Sequence, residues 1–187
     1  ALDVICEAKR IQRADLAEMR VAILGAGGVA RALVAGLAHY GATVVIYNRT
    51  VERAEQLAAQ FHDLPTAAGD KAKVIAMPLD RICDSCCQVI VNCTSVGLWP
   101  NVDQSPIEKW SEKLSSDTLV FDTIYRPTQT RLLREAAERG LQAVNGVGMF
   151  IGQAQRQFEL WTGTTVPDGI FEQVMAEHLN DQPDQAQ

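Results

Sequence analysis

The sequence predicts an α/β domain, an open, doubly wound, mostly parallel sheet with helices on both faces and further helices at its C-terminal end. Three observations carry that prediction. Short apolar, β-branched runs alternate with segments of helical spacing along most of the 187 residues. A glycine-rich turn follows the first of those runs without a break and opens a helical segment. The composition, 47% hydrophobic and 21% charged, supplies enough apolar residues to bury a core without disulfide or metal staples.

The elements follow in order. Residues 1–19 read as a connecting helix with one polar face. Residues 20–24 are a short apolar strand. Val29, Leu33, Gly36, Leu37 and Tyr40 recur at helical spacing, and Gly41 stands where a helix commonly stops. Residues 43–47 (TVVIY) are a β-branched strand, and Thr50 is an N-cap for a helix reaching about Phe61. Strands are expected at 73–77, ended by Pro78, and then at 89–93 and 119–121. A helix over 129–139 is closed by Gly140, a last strand covers 142–144, and helices are expected around 150–161 and 170–179. The tail 181–187 is polar and expected to fray. Sheet core over 20–145 and C-terminal helices over 146–187 are the resulting organisation.

The net charge of -6 argues against nucleic acid or an anionic membrane as partner, so any anion site must be built from a few local basic residues. No apolar run has the length of a membrane span. The first residues, Ala-Leu-Asp-Val-Ile-Cys-Glu, lack the basic-then-apolar order of a signal peptide. They also lack Met, so either Met was removed or the chain is a piece of something longer. The five cysteines are Cys6, Cys83, Cys86, Cys87 and Cys93, an odd number with no disulfide framework. Cys83, Cys86 and Cys87 invite a zinc reading, but a structural zinc wants four ligands and no His lies near. Reduced thiols in a cytoplasmic protein, with no metal, is the expectation.

The most informative motif is Val21-Ala22-Ile23-Leu24 running into Gly25-Ala26-Gly27-Gly28-Val29-Ala30-Arg31. Glycine lets the backbone turn sharply and approach a pyrophosphate, whose oxygens then take N–H groups at the helix start. This is the Rossmann-type fingerprint, with Ala30 at its third position, where close helix–strand packing is the requirement. The second strand selects the cofactor. A fold that binds NAD places Asp or Glu about 20 residues on, at that strand's end, for the ribose 2′-hydroxyl. Here the end reads Tyr47-Asn48-Arg49-Thr50-Val51-Glu52-Arg53, with no carboxylate at the strand end. Arg49 and Arg53 lie four apart at a helix start and can face one anion, with Asn48 and Thr50 as neutral donors. The expected cofactor is therefore NADP(H), held through its 2′-phosphate. The alternative leaves both arginines as surface residues pairing with Glu52 or Glu55.

Further blocks extend the pattern: GAGGVARA, NRTVERAEQLA, VNCTSVGLWPNVDQSP, VFDTIYRPTQTRLL and NGVGMFIGQAQRQFELWTG. Together they resemble the shikimate dehydrogenases, NADP enzymes that reduce 3-dehydroshikimate to shikimate on the route to chorismate and the aromatic amino acids. The resemblance implies that Gly25, Ala26, Gly27, Gly28 and Val29 contact the pyrophosphate, and that Asn48, Arg49, Thr50 and Arg53 hold the 2′-phosphate. It places Thr94 and Ser95 along the nicotinamide ribose, Thr123 with its backbone beside the nicotinamide, and Gly146 and Met149 in the nicotinamide pocket. Tyr125 would reach the substrate, and Gln153 would hydrogen-bond one of its oxygens. Asn92–Ser95 and Asp122–Tyr125 also stand at strand ends, where sites on such sheets lie. The sequence departs from the family's usual residues at Leu98, Asn145 and Phe150, where Met, Asp and Leu are more common.

The resemblance further implies a second, N-terminal domain that binds shikimate and supplies a catalytic Lys and Asp, the Asp in a motif just ahead of a helix like 1–10. No block here resembles that domain, and Lys9, Lys71, Lys73, Lys109 and Lys113 do not stand in its motif. No catalytic residue is therefore assigned, and the chain alone is expected to be inactive. Its expected partners are shikimate or 3-dehydroshikimate and the missing domain, whose docking surface would be an apolar patch on the C-terminal helices. A homodimer stays open. Three rival readings also stay open. One is a quinate/shikimate dehydrogenase, another the C-terminal part of a bifunctional 3-dehydroquinate dehydratase/shikimate dehydrogenase, and the third a regulatory module that binds NADP(H) without turnover.

Overall fold

A computed structural model describes residues 1–84, 87–112 and 114–180. Its centre is a six-stranded sheet built from β1 (Arg20–Leu24), β2 (Thr43–Asn48), β3 (Lys73–Pro78), β4 (Val89–Asn92), β5 (Leu119–Asp122) and β6 (Gln142–Val144). The spatial order is β3-β2-β1-β4-β5-β6, and every pairing is parallel. The order reverses between β1 and β4, the switch point at which doubly wound sheets form a crevice. Leu24 pairs with Tyr47 and with Asn92, and Asn92 with Asp122, so the carboxyl ends of four strands finish in one row.

Both faces of the sheet are covered, which is why β1, β2, β4 and β5 are nearly continuous apolar runs. Alternate residues divide between two cores. Val21, Ile23, Val44, Ile46, Val91 and Phe121 pack with α1 (Leu2–Lys9), α2 (Gly28–His39) and α3 (Val51–Ala59). Ala22, Leu24, Val45, Tyr47, Ile90 and Val120 pack with α4 (Arg131–Glu138) and with Ile82 and Ile107. The chain ends in α5 (Val147–Thr162) and α6 (Ile170–Asn180). Among the described residues no helix is long and apolar enough to cross a membrane.

The expected strands and most helices are present, with shifted ends. Helix α4 starts later than expected because Thr130 caps it, its hydroxyl oxygen accepting from Leu133 N–H. The single helix expected over 1–19 is instead two pieces. Arg10 adopts the left-handed conformation (φ 55°), and Ile11 N–H returns to the Cys6 carbonyl. A short 3-10 turn, Arg13–Glu18, then begins with a reciprocal capping box between Gln12 and Asp15. Neither Gly nor Pro marks this break, which is why spacing alone ran through it. A second 3-10 turn, Leu79–Asp84, follows β3 where nothing was expected. Cys6 and Cys87 are buried and Cys93 is partly buried. Cys86, the side chain of Cys83, Lys113 and the tail 181–187 lie outside the described residues.

Candidate functional site

The glycine turn sits at the switch point. Gly25 has φ 101° and lies against the end of β4, where an added Cβ would stand 3.0 Å from the Thr94 methyl and 3.2 Å from the Cys93 carbonyl oxygen. Only glycine combines that backbone angle with that approach. Gly27 and Gly28 differ, because an added Cβ at either meets nothing within 4 Å. Gly27 is the N-cap of α2 and offers no side-chain cap, so the first-turn N–H groups face open space with the positive end of the helix dipole. That opening suits a pyrophosphate, whose oxygens would take the place a cap leaves. Ala26 is partly buried against the first core, and Val29 is exposed beside the turn.

At the end of β2, Asn48 donates its side-chain amide to the Thr50 carbonyl (2.8 Å), bracing the turn into α3. Thr50 is the N-cap of α3, but its side chain makes no capping hydrogen bond. Arg49 and Arg53 are exposed at this turn, and among the described residues neither forms an ion pair with Glu52 or Glu55. The donor set is two guanidinium groups and a hydroxyl beside a helix start, with no carboxylate at the strand end, which suits a phosphate better than a bare ribose.

The ends of β4 and β5, expected as strand ends from the sequence, are held by a buried polar cluster whose pairing of Asn92, Asp122 and Thr130 the sequence did not indicate. Asp122 is buried and accepts from Asn92 Nδ2 (3.0 Å), Ile124 N–H (3.1 Å) and the Thr130 hydroxyl (2.7 Å). Burial pushes its carboxyl above the usual range, opposed by the bonds from Thr130, Ile124 and Asn92. Asn92 Oδ1 accepts from the Thr94 N–H (3.0 Å) and hydroxyl (2.7 Å), and the Thr94 oxygen accepts from Val96 N–H (3.1 Å). The Thr123 hydroxyl donates to the Asn92 carbonyl (2.8 Å). The Thr94 hydroxyl thus braces its own loop and the Thr123 hydroxyl ties its turn to β4, while Ser95 is exposed. Between these loops the Cys93 thiol is pushed up to about 12 by burial and then by Asp122, so it stays protonated near neutral pH. The available signal was a pair of apolar strands each ending in a polar residue, Asn92 and Asp122.

Tyr125 is exposed at the next turn and stacks on Phe150 of α5, with centroids 4.2 Å apart and planes at 23°. Gln153 is exposed further along α5, while Met149 packs against the first core. Gly146 N–H bonds to the Ile124 carbonyl (2.9 Å). An added Cβ there would run into the Thr123 carbonyl and stand 2.8 Å from the Ile124 carbonyl carbon, so this glycine serves close packing of α5 on the β5 turn.

A parallel sheet in this order, with a glycine turn opening a helix at its switch point, defines a domain of the doubly wound dinucleotide-binding class. Residues 7–123 match the family described as shikimate / quinate 5-dehydrogenase, and residues 146–176 match the shikimate 5′-dehydrogenase C-terminal domain. The chain belongs to the shikimate dehydrogenase family. A shikimate dehydrogenase (NADP+) of Methanopyrus kandleri is 42% identical over 160 residues, covering 84% of this chain and 54% of that protein. The chloroplastic bifunctional 3-dehydroquinate dehydratase/shikimate dehydrogenase of Arabidopsis thaliana is 43% identical over 163 residues, 87% of this chain and 25% of that protein. A crystal structure of a shikimate dehydrogenase in complex with NADP+ superposes with a TM-score of 0.73 at 37% identity, covering 86% of this chain and 55% of that one. The chain therefore spans about half the length of these two shikimate dehydrogenases and a quarter of the bifunctional relative.

Proposed function

We propose that this chain is the NADP(H)-binding domain of a shikimate dehydrogenase that reduces 3-dehydroshikimate to shikimate on the cytoplasmic route to chorismate and the aromatic amino acids. The single observation that carries the cofactor reading is the exposed Arg49/Arg53 pair at the end of β2, unpaired among the described residues and one strand away from the open glycine turn. Gly25, Ala26, Gly27, Gly28 and Val29 would seat the pyrophosphate. Asn48, Arg49, Thr50 and Arg53 would seat the 2′-phosphate, Asn48 chiefly by holding the turn. Thr94, Ser95, Thr123, Gly146 and Met149 would form the wall around the nicotinamide, which when bound supplies hydride chemistry. Tyr125, ordered by its stack on Phe150, and Gln153 would meet one side of the substrate. No side chain of this set is assigned as the proton donor. A second domain would supply that donor and the opposite wall, and α5 and α6, with Leu160 68% and Trp161 80% exposed, would return to it.

The test compares this chain with the complete protein to which it would belong, by following reduced nicotinamide absorbance with NADP+ and either shikimate or quinate. The chain alone should bind cofactor and show no turnover, while the complete protein should oxidise shikimate. Robust turnover by the chain alone would overturn the division of labour, and preference for quinate would favour the quinate-using branch. Cofactor binding without turnover by the complete protein would favour a regulatory module.

A further inference from the structure

Resting on that reading, we propose that Asp122, with Asn92 and Thr130, is a positioning device for the nicotinamide half of the site. It fixes the loops after β4 and β5 to one another and so sets affinity for that half without touching the ligand. The geometry runs as one continuous chain of hydrogen bonds. Thr130 at the α4 N-cap donates to Asp122, Asp122 accepts from Asn92 on the neighbouring strand, and Asn92 accepts from the loop at Thr94. Asn92 Nδ2 also reaches the Val96 carbonyl (3.3 Å), closing the loop that carries Ser95. On the other side, Ile124 N–H to Asp122 and the Thr123 hydroxyl to the Asn92 carbonyl set the turn that carries Tyr125. The methyl of Thr94 lies against Gly25, so the chain ends at the glycine turn itself.

The alternative is a merely stabilising cluster, and its chemistry argues against that. A buried carboxylate held only by neutral donors is a poor way to stabilise a strand end, because its desolvation opposes what the bonds return. An apolar residue, as at Phe121 one position earlier, fills such a place without that cost. What an apolar residue cannot do is hold three separate backbone segments in one relative position. An acceptor-only group with two oxygens can, because each bond fixes a direction as well as a distance. Asp122 makes all three of its bonds to groups belonging to different segments: β4, its own turn, and α4.

Two probes separate the halves of the site in binding titrations. NADPH spans both, whereas adenosine 2′,5′-bisphosphate carries the adenosine and 2′-phosphate but no nicotinamide. Asp122→Asn keeps the shape but turns one acceptor into a donor. It should weaken NADPH by about tenfold and leave the bisphosphate unchanged. Because that variant could fail to fold, Thr130→Val and Thr130→Ser form a second pair, with thermal melts recorded for all. Thr130→Val loses the bond to Asp122 and should weaken NADPH selectively, and Thr130→Ser should restore it. Equal loss of both ligands, unchanged NADPH affinity in folded Asp122→Asn, or equal behaviour of Thr130→Val and Thr130→Ser would each overturn the proposal. Wild-type chain that binds neither probe would instead overturn the cofactor reading, and the proposal with it. Wild-type binding of both leaves that reading standing, and the variants then decide.

Discussion

At Gly27 and Gly28 an added side chain would enter empty space; at Gly146 it would run into the backbone of the β5 turn. Both regions border the same row of strand ends, and both matched the family's motifs, yet their glycines have opposite surroundings. The turn before α2 leaves room that the fold itself never fills, which is what a ligand site requires. The start of α5 leaves none, which is what tight packing requires. Gly25 stands between them, with a left-handed φ of 101° and neighbours at the near limit of contact. A glycine in a motif therefore says that a Cβ is unwelcome there, and only the surroundings say whether ligand or protein excludes it.

Substitutions at three of these four positions can break that contrast. Gly146→Ala should have the largest effect on folding, a loss of about 3 kcal/mol, seen as a melting temperature lower by roughly 6–12 °C. A variant that melts like wild type would mean that α5 does not pack as described. Gly25→Ala should cost less, about 1–3 kcal/mol, because the strain falls on one backbone angle while the contacts with the Thr94 methyl and the Cys93 carbonyl are 3.0 Å or longer. Gly27→Val should cost stability no more than about 1 kcal/mol, the change in N-cap residue, while NADPH binding falls below detection in calorimetry. Normal binding by Gly27→Val would remove the glycine turn from the site. Unfolding would show that the open space is not open.

Much of the fold was legible because buried parallel strands read as apolar runs and amphipathic helices keep their spacing. TVVIY at the second strand and the run before Gly25 are of this kind. The break at Arg10 was not legible, because a left-handed Arg and a capping box between Gln12 and Asp15 are set by packing rather than by a breaker residue. Within the candidate site, a glycine turn at the first strand and exposed arginines at the end of the second could be read from residue type. The hydrogen bonds of the Thr94 and Thr123 hydroxyls could not, since nothing in residue type says that each meets an atom of Asn92. Asp122 and Thr130, eight residues apart in sequence, become partners only when α4 is set against β5.

The central claim is that the end of β2 holds a 2′-phosphate, and calorimetric titration of the wild-type chain and Arg49→Ala with NADPH and with NADH tests it most directly. A charge-assisted hydrogen bond to phosphate contributes about 1.5–3 kcal/mol, so Arg49→Ala should weaken NADPH by about tenfold or more. NADH, which lacks that phosphate, should bind the wild-type chain more weakly than NADPH and be little changed by the substitution. Equal losses for both cofactors, or wild-type affinity for NADH equal to that for NADPH, would contradict the assignment.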